Sequence, residues 1–200
     1  MRDIFVTLIV FGTLPYIFKR PYIGVLLWGW LAYMNPHKLS WGFAHDFPFS
    51  KFVAIVILIA LVFSKEPKKI PWTLELRILM LFIIWMFITT ILSIYPDLAW
   101  TQWSKVWKIQ LMTFVTIILM QNKWRVQAMV WVIALSLGLY GFKGGIFTIL
   151  TGGSYAVYGP SGTFIYGNNE IGLALIMTIP LIRYLQLSTE RRFLRFGLMV

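Results

Sequence analysis

Apolar residues gather in seven runs: Ile4–Phe18, Tyr22–Met34, Phe52–Phe63, Ile78–Ile94, Ile109–Met120, Ala128–Leu150 and Ile171–Leu187. Short polar loops separate them. Each run is apolar all round, whereas a helix on a soluble core has one apolar stripe and a polar face opposite. A backbone crossing a bilayer must satisfy its own hydrogen bonds, which selects helices. The pattern predicts an all-α, polytopic transmembrane bundle of about seven spanning helices. After the basic loop of Arg191, Arg192 and Arg195, residues Phe196–Val200 read as the start of an eighth. Residues 1–200 are therefore expected to form one transmembrane region, the N-terminal part of a longer membrane protein.

Several runs fall short of the roughly 20 residues a spanning helix needs. Aromatic flanks supply the missing length: Trp100, Trp103 and Trp107 before the fifth run, and Trp41, Phe47 and Phe49 before the third. Trp and Tyr favour the membrane interface, where one side of the ring is wet. The first two runs are joined only by Lys19-Arg20-Pro21, and Pro15 is positioned to kink the first. They form either two tilted helices or a hairpin that stops short of a full crossing.

Composition and charge sharpen this picture. Hydrophobic residues make up 59% of the chain and charged residues 12%, too little polar surface to coat a soluble globule. The net charge of +11 sits between the apolar runs, not along one polar face, which argues against nucleic acid as a partner. Alternating the loops across a bilayer groups Lys19, Arg20, Lys65, Lys68, Lys69, Lys123, Arg125, Arg191, Arg192 and Arg195 on one side. Arg2, Lys38, Lys51, Lys105 and Lys108 fall on the other. The positive-inside bias makes the first side cytoplasmic and the N-terminus external, and basic loops of this kind meet anionic lipid headgroups. Met1-Arg2-Asp3 does not make the basic start of a signal peptide. With no cysteine, the chain has no disulfide or thiolate metal site.

Three external segments remain as candidates for chemistry. In Asn35–Lys51, His37, His45 and Asp46 are too sparse for a convincing metal-ligand set. Pro36, Gly42 and Pro48 mark an irregular loop with aromatic anchors. In Tyr95–Lys108, helical spacing puts Trp100, Trp103 and Trp107 on one face and Thr101, Lys105 and Lys108 on the next. That describes either an interfacial helix with snorkelling lysines or a surface for a lipid phosphate. The span 141–170 carries eight of the chain's fifteen glycines, and residues 151–170 read as an external Gly-rich loop. Gly159-Pro160 and Gly167-Asn168-Asn169 are expected turns, with Asn168 or Asn169 capping the next helix and Glu170 in its first turn. No strand or spacing there supports a nucleotide fingerprint. Lys143 is a cation inside an apolar stretch, where an ionisable group faces a partner or a wet cavity.

Two blocks of this sequence resemble a known family. MRDIFVTLIVFGTLPYIFKRPYIGVLLWGWLAYMNPHKLSWGFA and GFKGGIFTILTGGSYAVYGPSGTFIYGNNEIGLAL are similar to O-glycosylation ligases associated with the exosortase A system, within the O-antigen ligase and polymerase superfamily. Together they cover about 80 of the 200 residues. The resemblance implies a many-helix inner-membrane enzyme that takes a glycan from an undecaprenyl-pyrophosphate carrier and passes it to an acceptor hydroxyl. It implies no metal, cofactor or nucleotide sugar, and a histidine base farther along the chain, so neither His37 nor His45 receives that role. Where related ligases often carry an Arg before the glycine motif, this chain has Tyr155 and Tyr158.

A diphosphate leaving group needs cations or backbone N–H groups aimed at its developing charge. Lys105, Lys108 and Lys143, with Gly159, Ser161, Asn168 and Asn169 at the loop and the seventh helix, are the expected substrate-binding residues. Glu170 is expected to be structural, and the catalytic residues and acceptor are not identifiable. Two other classes compete with the ligase. One is a transporter or flippase of a lipid-linked glycan, with Phe142–Gly153 as a broken helix. The other is a noncatalytic scaffold of a polysaccharide export assembly.

Overall fold

The computed structural model describes residues 2–64, 66–190, 195 and 197. The expected eighth helix at 196–200 lies, Gly197 apart, outside the described residues, as do Lys65, Arg191 and Arg192. Among the described residues seven α-helices follow one another: α1 (Arg2–Lys19), α2 (Pro21–Tyr33), α3 (Phe49–Phe63), α4 (Leu74–Ile91), α5 (Pro96–Leu119), α6 (Lys123–Leu150) and α7 (Asn168–Ser188). Short 3-10 turns form at Pro36–Leu39 and Phe43–His45. There is no strand among the described residues, so the fold is all-α, with one helix for each apolar run.

Three of these helices, α4, α6 and α7, are long and apolar enough to cross a membrane. The others differ for physical reasons. α1 carries Arg2, Asp3 and Lys19 at its ends, and Gln102, Lys105 and Lys108 make the first half of α5 polar. α2 and α3 have 13 and 15 residues. They rise only about 20 and 22 Å, less than the ~30 Å hydrocarbon core.

The chain divides into two compact units, Met1–Ser64 with Asn122–Val200, and Lys65–Gln121. In the first, α1, α2 and α3 pack together around Val10, Ile17, Val25, Leu31, Val53 and Ile57, all buried. Gly24 sets the distance between them. A Cβ there would lie 2.6 Å from Ile57 Cγ1 and 3.0 Å from Ile17 Cγ2, so only glycine lets α2 come this close. α6 lies along α2 and α7 along α6. At Gly141, a Cβ would come within 3.1 Å of Leu175.

Side-chain contacts identify the two ends of this unit. At one end, the Tyr22 ring meets Trp124 edge-on at 5.8 Å and carries the Arg125 guanidinium 4.2 Å above its centre. Gln127 reaches Ser188 there at 3.4 Å. Lys19, Arg20, Lys123 and Arg125 therefore share that end, as the loop alternation grouped them. At the other end, Asp3 Oδ1 accepts from the Gly42 and Ala44 amides at 3.1 and 3.3 Å, and Arg2 donates to the Leu39 carbonyl at 3.2 Å. Loop 35–48 is thus tied over the start of α1.

The second unit is the α4–α5 hairpin. The Thr73 hydroxyl caps α4 by accepting from the Leu76 amide, and Gln121 donates to the Lys69 carbonyl at 3.0 Å. α5 is helical from Pro96, so the segment before the fifth apolar run is helix as well. Two of its indoles find a partner: Trp100 and Trp103 pack on Phe87 at 6.3 and 5.2 Å.

Candidate functional site

A cleft of about 430 Å³ opens at the end of the first unit that holds loop 35–48. Tyr140, Lys143, Gly144 and Phe147 of α6 form one wall, and Tyr158 and Gly159 of loop 151–167 form another. Leu39, from the first 3-10 turn, closes a side.

Glycines bring the loop back over α6. Gly152 and Gly153 take φ of +59° and +77°, and the Gly153 amide bonds the Thr148 carbonyl at 2.9 Å, closing the helix with a left-handed turn. Val157 then lies on Gly144, where a Cβ would be 3.0 Å from its Cγ1. The next segment closes on itself. The Gly159 amide donates to the Tyr166 carbonyl at 3.0 Å, and the Thr163 hydroxyl donates to the Pro160 carbonyl at 2.7 Å. A side chain at Gly159 would meet the Ile165 carbonyl oxygen at 1.9 Å. Turn 159–166 is therefore a fixed part of the wall.

On the opposite side of the cleft, the Tyr140 hydroxyl donates to the Met34 carbonyl. That carbonyl ends α2 beside Asn35, the one non-glycine with positive φ (46°) among the described residues. Asn tolerates this conformation, and its amide also donates to the Ala32 carbonyl at 2.7 Å. Pro36 opens the 3-10 turn, and His37 is buried against Phe49 at 6.0 Å with Nδ1 unpartnered. Burial, reinforced by Lys38 and His45, pushes the His37 imidazole down to about 4. His45 pairs with Asp46 at 2.8 Å, which holds that carboxyl below the usual range. Neither histidine lines the cleft.

The expected binding residues separate on this framework. Lys143 and Gly159 share the cleft, and no carboxylate lies within ion-pair distance of Lys143 among the described residues. Asn168 lines an adjoining cavity of about 270 Å³, which meets the cleft at Gly144, Ala156, Val157 and Ile171. Ser161 and Asn169 are exposed and line neither cavity. Lys105 and Lys108 are exposed on α5, in the second unit.

Three sequence expectations are corrected here. The cap of α7 is Gly167, not Asn168 or Asn169, and those two residues begin the helix without making a side-chain cap. The reason is steric: the Glu170 carboxylate folds back to the cap, where a Cβ on residue 167 would be 2.0 Å from its Oε2. Glu170 thus supplies the anion that a helix start favours. Second, the Gly167-Asn168-Asn169 turn is absent, because those asparagines are helical. Third, α6 continues unbroken to Leu150, so Phe142–Gly153 is not a broken helix. Glycine in a helix costs about 1 kcal/mol but, unlike proline, does not force a break. Tyr140 was missed as a site residue, although its place three before Lys143 puts both on one helix face.

Residues 1–189 match the model of a family of unknown function, DUF5935. The chain belongs to that family. No curated protein and no solved structure matches it.

Proposed function

We propose that this chain is the N-terminal part of a multi-pass bacterial inner-membrane glycan ligase or polymerase. In this reading it transfers a glycan from an undecaprenyl-pyrophosphate carrier to an acceptor hydroxyl at the outer face, and all seven helices contribute to the membrane-embedded bundle. The observation that carries the reading is the unpaired Lys143, on the wall of a cleft next to an exposed loop. A cation in that position is matched to an anionic headgroup carried by a membrane-embedded chain. Charge-assisted contacts to phosphate are about twice as strong as neutral ones. The unlike charge of the two ends of the first unit supports placing the cleft outside. The two blocks that resemble the ligase family also meet at this cleft, which Leu39 of the first lines together with Lys143 and Gly144 of the second. The continuous α6 weighs against the transporter reading.

Lys143 would attract the pyrophosphate in the ground state and oppose the charge that builds on it as the glycosidic bond breaks. The test uses the native-length protein in membranes supplied with the lipid-linked glycan. Lys143→Gln is expected to lower transfer by about tenfold or more, with Lys143→Arg retaining most of it. Lys123→Gln, at the opposite end of the unit, controls for the loss of any positive charge. Equal transfer by wild type and Lys143→Gln at equal expression would contradict the proposal.

A further inference from the structure

Loop 151–167 presents aromatic rings where a soluble loop would bury them. Tyr158 is 61% exposed and Tyr166 52%, and both are on or beside the cleft rather than inside the fold. Their ring centres are 6.1 Å apart and their planes are inclined by 35°. The Gly159 amide to Tyr166 carbonyl bond joins the segments that carry them, and glycine is required at its donor. The rings are thus set by a closed turn before any ligand arrives. Tyr158 also lines the same cleft as Lys143.

We infer that Tyr158, flanked by Tyr166, is a stacking platform for the sugar ring next to the phosphate of the bound donor. This deepens the reading above and rests on it. The faces of a pyranose carry weakly positive C–H groups with little polar surface, and the face of an aromatic ring is weakly negative. Tyrosine adds a hydroxyl at the rim that can bond sugar hydroxyls, and with two side-chain torsions it loses little entropy on ordering. The arrangement therefore divides the donor between two kinds of contact. Lys143 takes the phosphate charge and Tyr158 takes the first sugar. Because stacking reads the ring face more than the hydroxyl pattern, one hexosamine suffices as a probe.

The experiment measures binding of two probes to the native-length protein in nanodiscs: undecaprenyl diphosphate, and undecaprenyl diphosphate bearing one N-acetylglucosamine. Tyr158→Ala is expected to weaken the glycosylated probe by about threefold to tenfold and leave the bare one unchanged. Tyr158→Phe keeps the ring and should retain most of the difference. Lys143→Gln should weaken both probes alike. Equal loss of both probes in Tyr158→Ala would mark Tyr158 as a membrane anchor and overturn the platform, as would no loss of either. Wild type that binds neither probe would overturn the donor reading itself. Normal folding of Tyr158→Ala is checked by its elution as a single species, and Tyr166→Ala, expected to have a smaller effect of the same sign, provides a second variant.

Discussion

The Tyr140 hydroxyl donates to the Met34 carbonyl across 106 positions of sequence. This bond pins the middle of α6 to the end of α2, and the same tyrosine forms part of the cleft wall. Met34 is followed by the left-handed Asn35, so the bond holds the carbonyl where the chain turns into its 3-10 segment. The cleft therefore depends on a contact made between two distant stretches of the chain.

Removing that donor should loosen the junction without changing ring packing. Tyr140→Phe is expected to lower stability by about 0.5–1.5 kcal/mol, the net value of one such bond. Thermal unfolding in detergent measures it. Unchanged unfolding would show that the Met34 carbonyl is equally well satisfied without the hydroxyl.

Gly24 gives a larger effect from packing. With Ile57 Cγ1 2.6 Å from a new Cβ, Gly24→Ala must push α2 away from α3 or force Ile57 out of its rotamer. Such overpacking costs typically 1–3 kcal/mol. Gly24→Ala combined with Ile57→Ala, which removes the crowded Cγ1, should cost less than the two single losses added. Unfolding of the wild type, both single variants and the double variant gives the coupling directly, and strictly additive losses would place the strain elsewhere.

How much of this was legible in the sequence follows from the range of each interaction. Helix positions come from local apolarity, and each of the seven runs became one helix. α5 starts much earlier than its apolar run because Pro96 and Asp97 begin a helix whose first half is amphipathic. Partner choice was not legible. Nothing local to Gly24 names Ile57, and nothing local to Tyr140 names Met34. The glycines of α6 suggested a break, yet at Gly141 and Gly144 they make room for Leu175 and Val157. Lys143 and Gly159 stand out in the sequence by depth and turn chemistry. Their shared cleft appears only after loop 151–167 folds back.

His37 predicts a pH dependence with a definite sign. Its imidazole is held neutral, down to about 4 from an ordinary 6.5, so the unfolded chain binds the proton more readily than the folded one. Its contribution leaves stability level above about pH 6.5, lowers it as pH falls toward 4, and flattens below that. The full difference is on the order of 3 kcal/mol. His37→Gln should remove this segment of the stability–pH curve. A wild-type curve with no fall between pH 6.5 and 4 would contradict the burial argument.

The absence of cysteine makes topology directly measurable with single substitutions. Ser50→Cys and Ser161→Cys should react with an impermeant maleimide added outside intact cells. Lys123→Cys should react only after permeabilisation, because it sits at the opposite end of the first unit. By the loop-charge pattern, Lys68→Cys should behave like Lys123→Cys. Protection of Ser161→Cys in intact cells would turn the cleft toward the cytoplasm.

The proposed donor site is tested most directly by mapping where an added carrier binds. Undecaprenyl diphosphate with a photoreactive group next to its phosphates is bound to the native-length protein in membranes, irradiated, and the labelled peptides are sequenced by mass spectrometry. Adducts are expected in 140–147 and 156–160, reduced by Lys143→Gln and by excess unlabelled carrier. Labelling confined to other segments, or unaffected by both competitor and Lys143→Gln, would contradict a donor site at this cleft.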